Sequence, residues 1–169
     1  MILETNRLYI RALKPDELVR YSFNKNPFED KTVEMSYNEI DGVLRPVIDK
    51  SIIPNVRKNK KDYHFFTIWL IVEKRFNSSV GSIMFKGRPD KNGKVEIGYG
   101  THEEFQNQGY MSEAVGAICS WAFESGKVSS VIAETAKDNP ASFSVVEKND
   151  FFKYEENENF YYWKKVKNG

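Results

Sequence analysis

The sequence predicts an α+β protein with a mixed, largely antiparallel central sheet and helices packed against it. Short runs rich in aromatic and β-branched residues recur along the chain, as expected of strands. Segments with helical apolar spacing alternate with these strand-like runs only in the second half of the chain. The middle of the chain predicts three strands in succession. Regular alternation throughout would indicate a doubly wound parallel sheet, so this order favours helices added to an antiparallel meander.

The first third of the chain predicts one strand followed by two helices. Residues 7–13 alternate apolar and basic side chains, which is typical of a half-buried strand. Pro15 is followed by two acidic residues and favours the start of a short helix. Residues 38–59 carry apolar side chains at helical spacing, and we expect Pro46 and Pro54 to kink or break that helix.

The middle of the chain predicts a three-stranded meander. Its first run is aromatic and β-branched throughout and indicates a buried strand. Turn-forming residues separate the three runs and predict a short turn and then a hairpin loop. The strands are expected at 63–73, 80–86 and 94–100, with the turn at 77–79 and the hairpin loop at 88–93.

The second half predicts a helix, a strand, a second helix and two final strands. Apolar residues between 111 and 122 form one helical stripe, and Gly126 is well placed as the C-cap of that helix. Asn139 and Pro140 predict the start of the second helix, with Asn as N-cap and Pro in the first position. The strands are expected at 128–134, 151–155 and 160–166. The predicted order is β-α-α-β-β-β-α-β-α-β-β.

Composition excludes several classes of protein. The 169 residues include 25 Lys and Arg against 24 Asp and Glu, a net charge of +1 that argues against a general nucleic-acid binder. Cys119 is the only cysteine, so no intrachain disulfide forms, and two histidines are too few for a common zinc site. Neither a signal peptide nor a bilayer-spanning run is recognisable. We expect one cytoplasmic domain over residues 1–169 with no metal, nucleic-acid or membrane partner.

The segment 96–114 carries most of the chemical information. A strand ends near Gly100, a short loop follows, and a helix begins near Gln108 and Gly109. A glycine at such a junction lets main-chain N–H groups turn toward one point, where they and the helix dipole favour a phosphate. The Lys-Ser/Thr of a P-loop and the three glycines of a dinucleotide fingerprint are both absent. The sequence therefore predicts a phosphate-bearing ligand of another kind.

Strand parity places a carboxylate beside two glycines. Two glycines on one strand face indicate close approach of a ligand or of another backbone. Glu96 shares their face and is a candidate acid–base group, or else the partner of Lys86 or Lys94 in a surface ion pair. One face carries Val95, Ile97 and Tyr99, and the other carries Glu96, Gly98 and Gly100.

Three motifs in register resemble one enzyme family. Residues 106–111 (QNQGYM) are similar to the acetyl-CoA pyrophosphate loop of the GNAT N-acetyltransferases, except that Met111 replaces a small residue. Residues 139–151 resemble the Asn-x-x-Ser and Leu-Glu-Lys-x-Gly-Phe motifs of the RimJ/RimL-like branch, with Asp150 where Gly is usual. Residues 4–11 (ETNRLYIR) match the first strand of that branch.

The resemblance implies that acetyl-CoA is the acyl donor and that its acetyl group passes directly to a primary amine. The amine would belong to a protein N-terminus or to a small molecule. Main-chain N–H groups at the loop would hold the pyrophosphate, and the strand would pair with the pantetheine arm. Asn139 would hydrogen-bond the pantetheine or the substrate near the sulfur. The implied loop residues are Gln106, Gln108, Gly109, Tyr110 and Met111, and the strand residues are Ile97, Gly98 and Tyr99.

The catalytic assignments keep alternatives open. Glu96 is the candidate base, acting through a water. Val146 stands where many members have a tyrosine acid, so Ser142 or water protonates the thiolate, or it leaves unassisted; Ser142 is also a candidate contact of the sulfur. A different class, a non-catalytic acetyl-CoA sensor or interaction module, is the alternative to an enzyme. Homodimers are common in such folds, and the sequence leaves the oligomeric state open.

Overall fold

A computed structural model describes residues 1–28, 33–35 and 44–167 of the chain, and eight strands in these ranges form one sheet. The strands are β1 (Ile2–Glu4), β2 (Leu8–Ala12), β3 (Ile68–Glu73), β4 (Ser78–Phe85), β5 (Lys94–Thr101), β6 (Ser130–Ala136), β7 (Phe152–Glu156) and β8 (Phe160–Val166). Their order across the sheet is β1-β2-β3-β4-β5-β6-β8-β7. The β5–β6 pair is parallel and the other six pairs are antiparallel, which confirms the predicted fold class.

Helices cover both faces of the sheet. They are α1 (Pro15–Ser22), α2 (Leu44–Val47), α3 (Ile53–Lys58), α4 (Tyr110–Glu124) and α5 (Pro140–Glu147), and a π-helical turn at Ile48–Ile52 joins α2 to α3. Within the described residues, no helix combines the length and the apolar character needed to cross a bilayer.

Alternation along β3 separates two hydrophobic cores. Trp69 and Ile71 point into a core shared with α4, whereas Leu70 and Val72 point into a core shared with α1 and α3. All four side chains are at most 1% exposed, so β3 is buried on both faces as its composition predicts. The α4 core supports the site described below, and Ile118 on that helix packs in it.

The structure corrects the predicted strand boundaries near the first core. A short strand, β1, precedes the predicted one and pairs with it, and the three-residue length of β1 gives little periodicity to detect. The expected strand at 63–73 begins only at Ile68, because Tyr63–Phe65 form a 3₁₀ turn. The indole of Trp69 donates to the His64 carbonyl oxygen at 2.9 Å and stabilises that turn. The predicted turn at 77–79 is also wrong at Ser78 and Ser79, which pair in β4.

The two prolines of the predicted 38–59 helix have different effects. Residues 38–43 lie outside the described part of the chain, and Leu44–Lys58 are helical. Pro46 lies within α2, while Pro54 sits in the first turn of α3 directly after the π-helical turn. There Ile53 donates to the Ile48 carbonyl oxygen, five residues back. A proline lacks an N–H, and the wider turn accommodates it without ending the helix.

Asp150, which stands where the resembled motif usually has glycine, forms the turn after α5. Its φ of 59° lies in the left-handed region. The N–H of Asp150 donates to Glu147 and that of Phe151 donates to Val146, so the carbonyls at the end of α5 are satisfied. Aspartate tolerates this conformation better than most residues do. The departure at this position therefore leaves the backbone of the motif intact.

Candidate active site

The parallel strands β5 and β6 part midway along their length. Their pairing ends at Ile97 and Ala133, although both strands continue for several residues. Beyond that point β5 pairs only with β4, and β6 pairs only with β8. The facing edges of the two strands are therefore not joined to each other. They leave an opening into which an extended, amide-bearing ligand fits as an additional strand.

The start of α4 lies at this opening. Gly109 is the N-cap, with φ 78° and ψ 3°, and no side chain caps the helix. Its carbonyl oxygen accepts from the Glu113 N–H at 3.1 Å, which begins the helical ladder. The N–H groups of the first turn have no intrahelical partner, and the helix dipole places partial positive charge there. This helix start is an anion-binding geometry.

A cavity of about 600 Å³ joins the helix start to the strand opening. Its walls are the end of β5, the loop before α4, the first turn of α4 and one side of α5. Seven residues that the sequence nominated line it: Tyr99, Gln106, Gly109, Tyr110, Met111, Asn139 and Ser142. Four others do not: Glu96, Ile97, Gly98 and Gln108.

Met111 lines the cavity, but its side chain is buried in the protein. Only 4% of the residue is exposed, because its side chain packs in the α4 core. The additional bulk at this motif position is thus accommodated inside the protein. Tyr110 is also buried, and its ring lies under the Arg7 guanidinium at 4.6 Å.

Asn139 and Ser142 fix the start of α5. The Asn139 side-chain oxygen accepts from the Ser142 N–H at 3.0 Å, and Pro140 occupies the first turn, which confirms the predicted N-cap. The Tyr99 phenol donates to the Ser142 carbonyl oxygen at 2.8 Å, and the Ser142 hydroxyl lies 3.4 Å from the same phenol. Burial raises the pKa of Tyr99 to about 12, so the phenol stays protonated at neutral pH. Val146 is fully buried in the α4 core.

Glu96 lies on the glycine-bearing face, one residue before the strands part. Its carboxylate forms an ion pair with Lys86, one of the two partners considered from the sequence. Ile97 points the other way, into the core. A Cβ at Gly98 would meet only the Lys86 side chain, at 3.7 Å, and one at Gly100 would meet nothing within 4 Å. Among the described residues, no other backbone lies within 4 Å of the Cβ positions of these two glycines, so this face has room for a ligand there.

Gln106 and Gln108 have different surroundings. The Gln106 amide lies 3.5 Å from the Thr101 carbonyl oxygen, at the limit of a hydrogen bond, and its side chain lines the cavity. The Gln108 side chain donates to the Glu104 carbonyl oxygen at 3.1 Å, away from the cavity. The Gln108 carbonyl oxygen accepts from Arg7 at 2.9 Å.

Two residues that the sequence analysis did not single out shape the site. A Cβ at Gly81 would lie 2.3 Å from the Gly100 carbonyl oxygen, so only glycine lets β4 approach β5 there. Arg7 contacts the loop before α4 and the Glu113 carboxylate. Arg7 falls inside the 4–11 motif quoted for the family, and Glu113 lies in the 96–114 segment two residues after the 106–111 motif. Their separation along the chain, 106 residues, gave the sequence no way to pair them.

Two further titratable residues, His102 and Cys119, do not line the cavity. Burial lowers the pKa of His102, whose ring nitrogen lies 3.4 Å from the Ser79 hydroxyl. Burial raises the pKa of the Cys119 thiol to about 12, which suits a packing residue and not a nucleophile. Of the described residues that line the cavity, Lys148 carries a formal charge, and this positive charge favours an anionic ligand. The described residues contain no cluster of three or more His, Cys, Asp or Glu side chains that could hold a metal ion.

A parallel strand pair that opens beside a helix start suited to anions is a geometry that fits a phosphate-bearing, amide-rich ligand. A family model for the acetyltransferase (GNAT) domain matches residues 7–151. This chain belongs to the GNAT acetyltransferase family, and the predicted family and fold are confirmed.

One known protein is similar to this chain in sequence, and others are similar to it in structure. The Bacillus subtilis protein YjdG, described as an uncharacterized N-acetyltransferase, is 34% identical over 98 residues, a match that covers 58% of each chain. Ribosomal-protein-S5-alanine acetyltransferase from Vibrio fischeri superimposes with a TM-score of 0.73 at 18% identity, covering 98% of this chain and 96% of that one. The acetyltransferase from Salmonella typhimurium that modifies the N-terminal serine of protein L7/L12 superimposes with a TM-score of 0.69 at 20% identity, covering 99% and 100%.

Proposed function

We propose that this chain is an N-acetyltransferase that uses acetyl-CoA to acetylate a primary amine by direct attack. One observation carries the proposal: the end of β5, beyond the point where it parts from β6, and the main-chain N–H groups at the start of α4 border a single cavity of about 600 Å³. An extended amide arm and a diphosphate are joined in this way in coenzyme A.

The residues divide the binding work among three elements. Main-chain N–H groups of Gly109, Tyr110 and Met111 hold the pyrophosphate, together with that of Gln108, and the Gln106 side chain supports the loop. Backbone groups of residues 97–100 pair with the pantetheine arm along the open edge of β5. Asn139 binds near the sulfur from the start of α5. The glycine at 109 suits this role because its left-handed φ of 78° turns the backbone toward the anion.

The reaction forms a C–N bond at the acetyl carbonyl carbon and breaks the C–S bond of the thioester. Acetyl-CoA supplies the activated acyl group. Glu96 accepts the proton lost by the amine, through a water, from its position beside the strand opening. Ser142 or water protonates the departing thiolate, or the thiolate leaves without assistance because it is a good leaving group near neutral pH. A well-placed base of this kind contributes roughly 10²–10⁴ in rate.

The acceptor is a primary amine on a protein N-terminus or on a small molecule. Two structural relatives support the first class: one is named as a ribosomal-protein-S5-alanine acetyltransferase, and the other as an acetyltransferase that modifies the N-terminal serine of L7/L12. A thiol-release assay with acetyl-CoA tests both classes, using N-terminal peptides beside polyamines, amino acids and aminoglycosides. We expect thiol release that depends on the amine. Absence of any heat of association between the folded protein and coenzyme A would overturn the proposal.

A second candidate is a sensor that binds acetyl-CoA without turnover. Two observations favour it: Val146 is buried at the position of the usual tyrosine acid, and Glu96 is ion-paired to Lys86. Tight coenzyme A binding with no turnover across the whole amine panel would support this second function. Turnover with any one amine would exclude it.

A further inference from the structure

Arg7 connects the first strand pair to the loop before α4. It lies directly before β2, and its guanidinium makes contacts in three directions. Nε donates to a Glu113 carboxylate oxygen at 2.6 Å, Nη1 donates to the Gln108 carbonyl oxygen at 2.9 Å, and the group stacks over the Tyr110 ring at 4.6 Å. Arg7 does not line the cavity, so its effect on a bound ligand must pass through these contacts.

The Glu113 carboxylate holds this arginine in one orientation. It accepts from the Thr5 hydroxyl at 2.6 Å and from the Arg7 N–H at 2.9 Å in addition to the guanidinium. The Thr5 hydroxyl oxygen in turn accepts from the Leu8 N–H at 3.0 Å. The Glu113 side chain is 21% exposed and that of Arg7 is 39% exposed, so the ion pair is only partly shielded from water, and the three hydrogen bonds accepted by Glu113 fix its geometry.

The contact with the Gln108 carbonyl determines where the next amide points. A trans peptide is planar, so its C=O and N–H point in nearly opposite directions. Arg7 draws the carbonyl of the Gln108–Gly109 peptide to its own side. The N–H of Gly109 therefore faces the other way, and Gly109 is the residue of this peptide that lines the cavity. Arg7 Nη2 also lies 3.4 Å from the point where a Gly109 Cβ would stand, which packs it against the same residue.

We infer that Arg7 is a positioning residue for the diphosphate of the acyl donor, because it fixes the orientation of the Gly109 amide that binds it. This inference rests on the proposed function. Glu113 and Thr5 support the arginine, and none of the three lines the cavity. The site is thus preorganised from the other end of the chain, and the loop does not need to reorient when the donor arrives.

Isothermal titration with coenzyme A tests the inference on the wild-type protein and on Arg7→Lys and Arg7→Ala. Lysine keeps the charge and the ion pair with Glu113, but a single ammonium does not reproduce the fork that also reaches Gln108. We expect Arg7→Lys to keep its melting temperature within a few degrees of wild type and to bind coenzyme A about tenfold more weakly. Arg7→Ala is expected to lose at least as much affinity.

Arg11→Ala is the matched control. It removes an arginine from β2 that stacks over Phe28 at 3.5 Å, and Phe28 belongs to the core shared with α1 and α3 and not to the α4 core. We expect its coenzyme A affinity to equal that of wild type. With an amine that the wild type acetylates, Arg7→Lys should raise KM for acetyl-CoA while kcat changes little.

Failure of the inference and failure of the proposed function give different results. Wild-type protein that binds no coenzyme A overturns both. Wild-type binding together with unchanged affinity in Arg7→Lys overturns the positioning role alone and leaves the acetyltransferase proposal standing. An affinity loss in Arg11→Ala as large as that in Arg7→Lys also overturns it, since the effect would then be general to the first strand pair.

Discussion

The Tyr99 phenol donates a 2.8 Å hydrogen bond to the Ser142 carbonyl oxygen and thereby joins the end of β5 to the first turn of α5. These two elements are the walls of the cavity on either side of the strand opening. The bond keeps α5 at a set distance from β5 beyond the point where β5 and β6 separate. The phenol, with its raised pKa of about 12, remains a donor throughout the physiological range.

Tyr99→Phe should lower the free energy of unfolding by about 1 kcal/mol, because it removes one partly buried hydrogen bond. Urea denaturation measures this difference. Tyr9→Phe is the control, since it removes the hydroxyl of a tyrosine that is 38% exposed on β2. Equal stability losses in the two variants would contradict the assigned role of the Tyr99–Ser142 bond.

Glu96→Gln should lower kcat and remove the acidic limb of the pH–rate profile, because an amide does not accept the proton. Affinity for acetyl-CoA should change little, since Glu96 does not line the cavity. Steady-state kinetics over a range of pH, with titration calorimetry alongside, provide the measurement. A profile that keeps its shape would show that Glu96 serves only as the partner of Lys86.

Gly109→Val should weaken coenzyme A binding by at least about tenfold, because the side chain strains the loop amides and meets Arg7. Gly126→Val is a matched control at the other end of α4. Its φ of 71° imposes the same backbone strain, and a Cβ there meets nothing within 4 Å. Both variants should lose similar stability in thermal melts. Equal coenzyme A affinity in the two would argue against the anion site.

Asp150→Gly should raise the free energy of unfolding by about 0.5–1 kcal/mol. The substitution relieves a left-handed φ of 59°, and the greater freedom of glycine in the unfolded chain offsets part of the gain. The carboxylate of Asp150 lies 3.7 Å from the Lys165 ammonium and its side chain is 93% exposed, so this ion pair contributes little to stability. Chemical denaturation checks this prediction, and a destabilised variant would mean that the Asp150 side chain stabilises the turn.

The contribution of Glu113 to stability should disappear in acid. Partial burial acts to raise the pKa of Glu113, but hydrogen bonds from Thr5 and Arg7 outweigh it, and the net pKa is below the ordinary 4.5. A lowered folded-state pKa stabilises the protein above pH 4.5 and loses that effect as pH falls through the folded value. The difference in melting temperature between wild type and Glu113→Gln should therefore be constant above about pH 5.5 and shrink below about pH 4. A difference that stays constant down to about pH 3 would contradict this account.

Periodicity in the sequence predicted most of the sheet and the two helices that border the cavity. The α4 stripe and the Asn139-Pro140 helix start are local signals, and the observed elements match them closely. The strand expected at 63–73 failed at its start, because tertiary packing around Trp69 stabilises a 3₁₀ turn against local β-propensity. The short strand β1 was missed because three residues give too little periodicity to detect, and its strand conformation depends on pairing with β2.

The residues of the candidate site likewise divide into those that local motifs identified and those whose contacts only the structure shows. Gly109, Asn139 and Ser142 were identifiable because each belongs to a motif read along a few consecutive residues. Glu96 was placed on its face correctly, but parity alone did not choose between a base and an ion pair, and the structure adds the contact with Lys86.

The sequence by itself determined the family, the glycine at the start of α4 and the strand that carries Gly98 and Gly100, because local backbone conformation and side-chain parity depend on neighbouring residues. Only the tertiary structure decided that β5 and β6 part after Ile97 and Ala133, and that Arg7 reaches the peptide before Gly109. Strand separation and long-range hydrogen bonds arise from how distant segments pack in three dimensions. No pattern along a single stretch of chain encodes which carbonyl an arginine 101 residues away will orient.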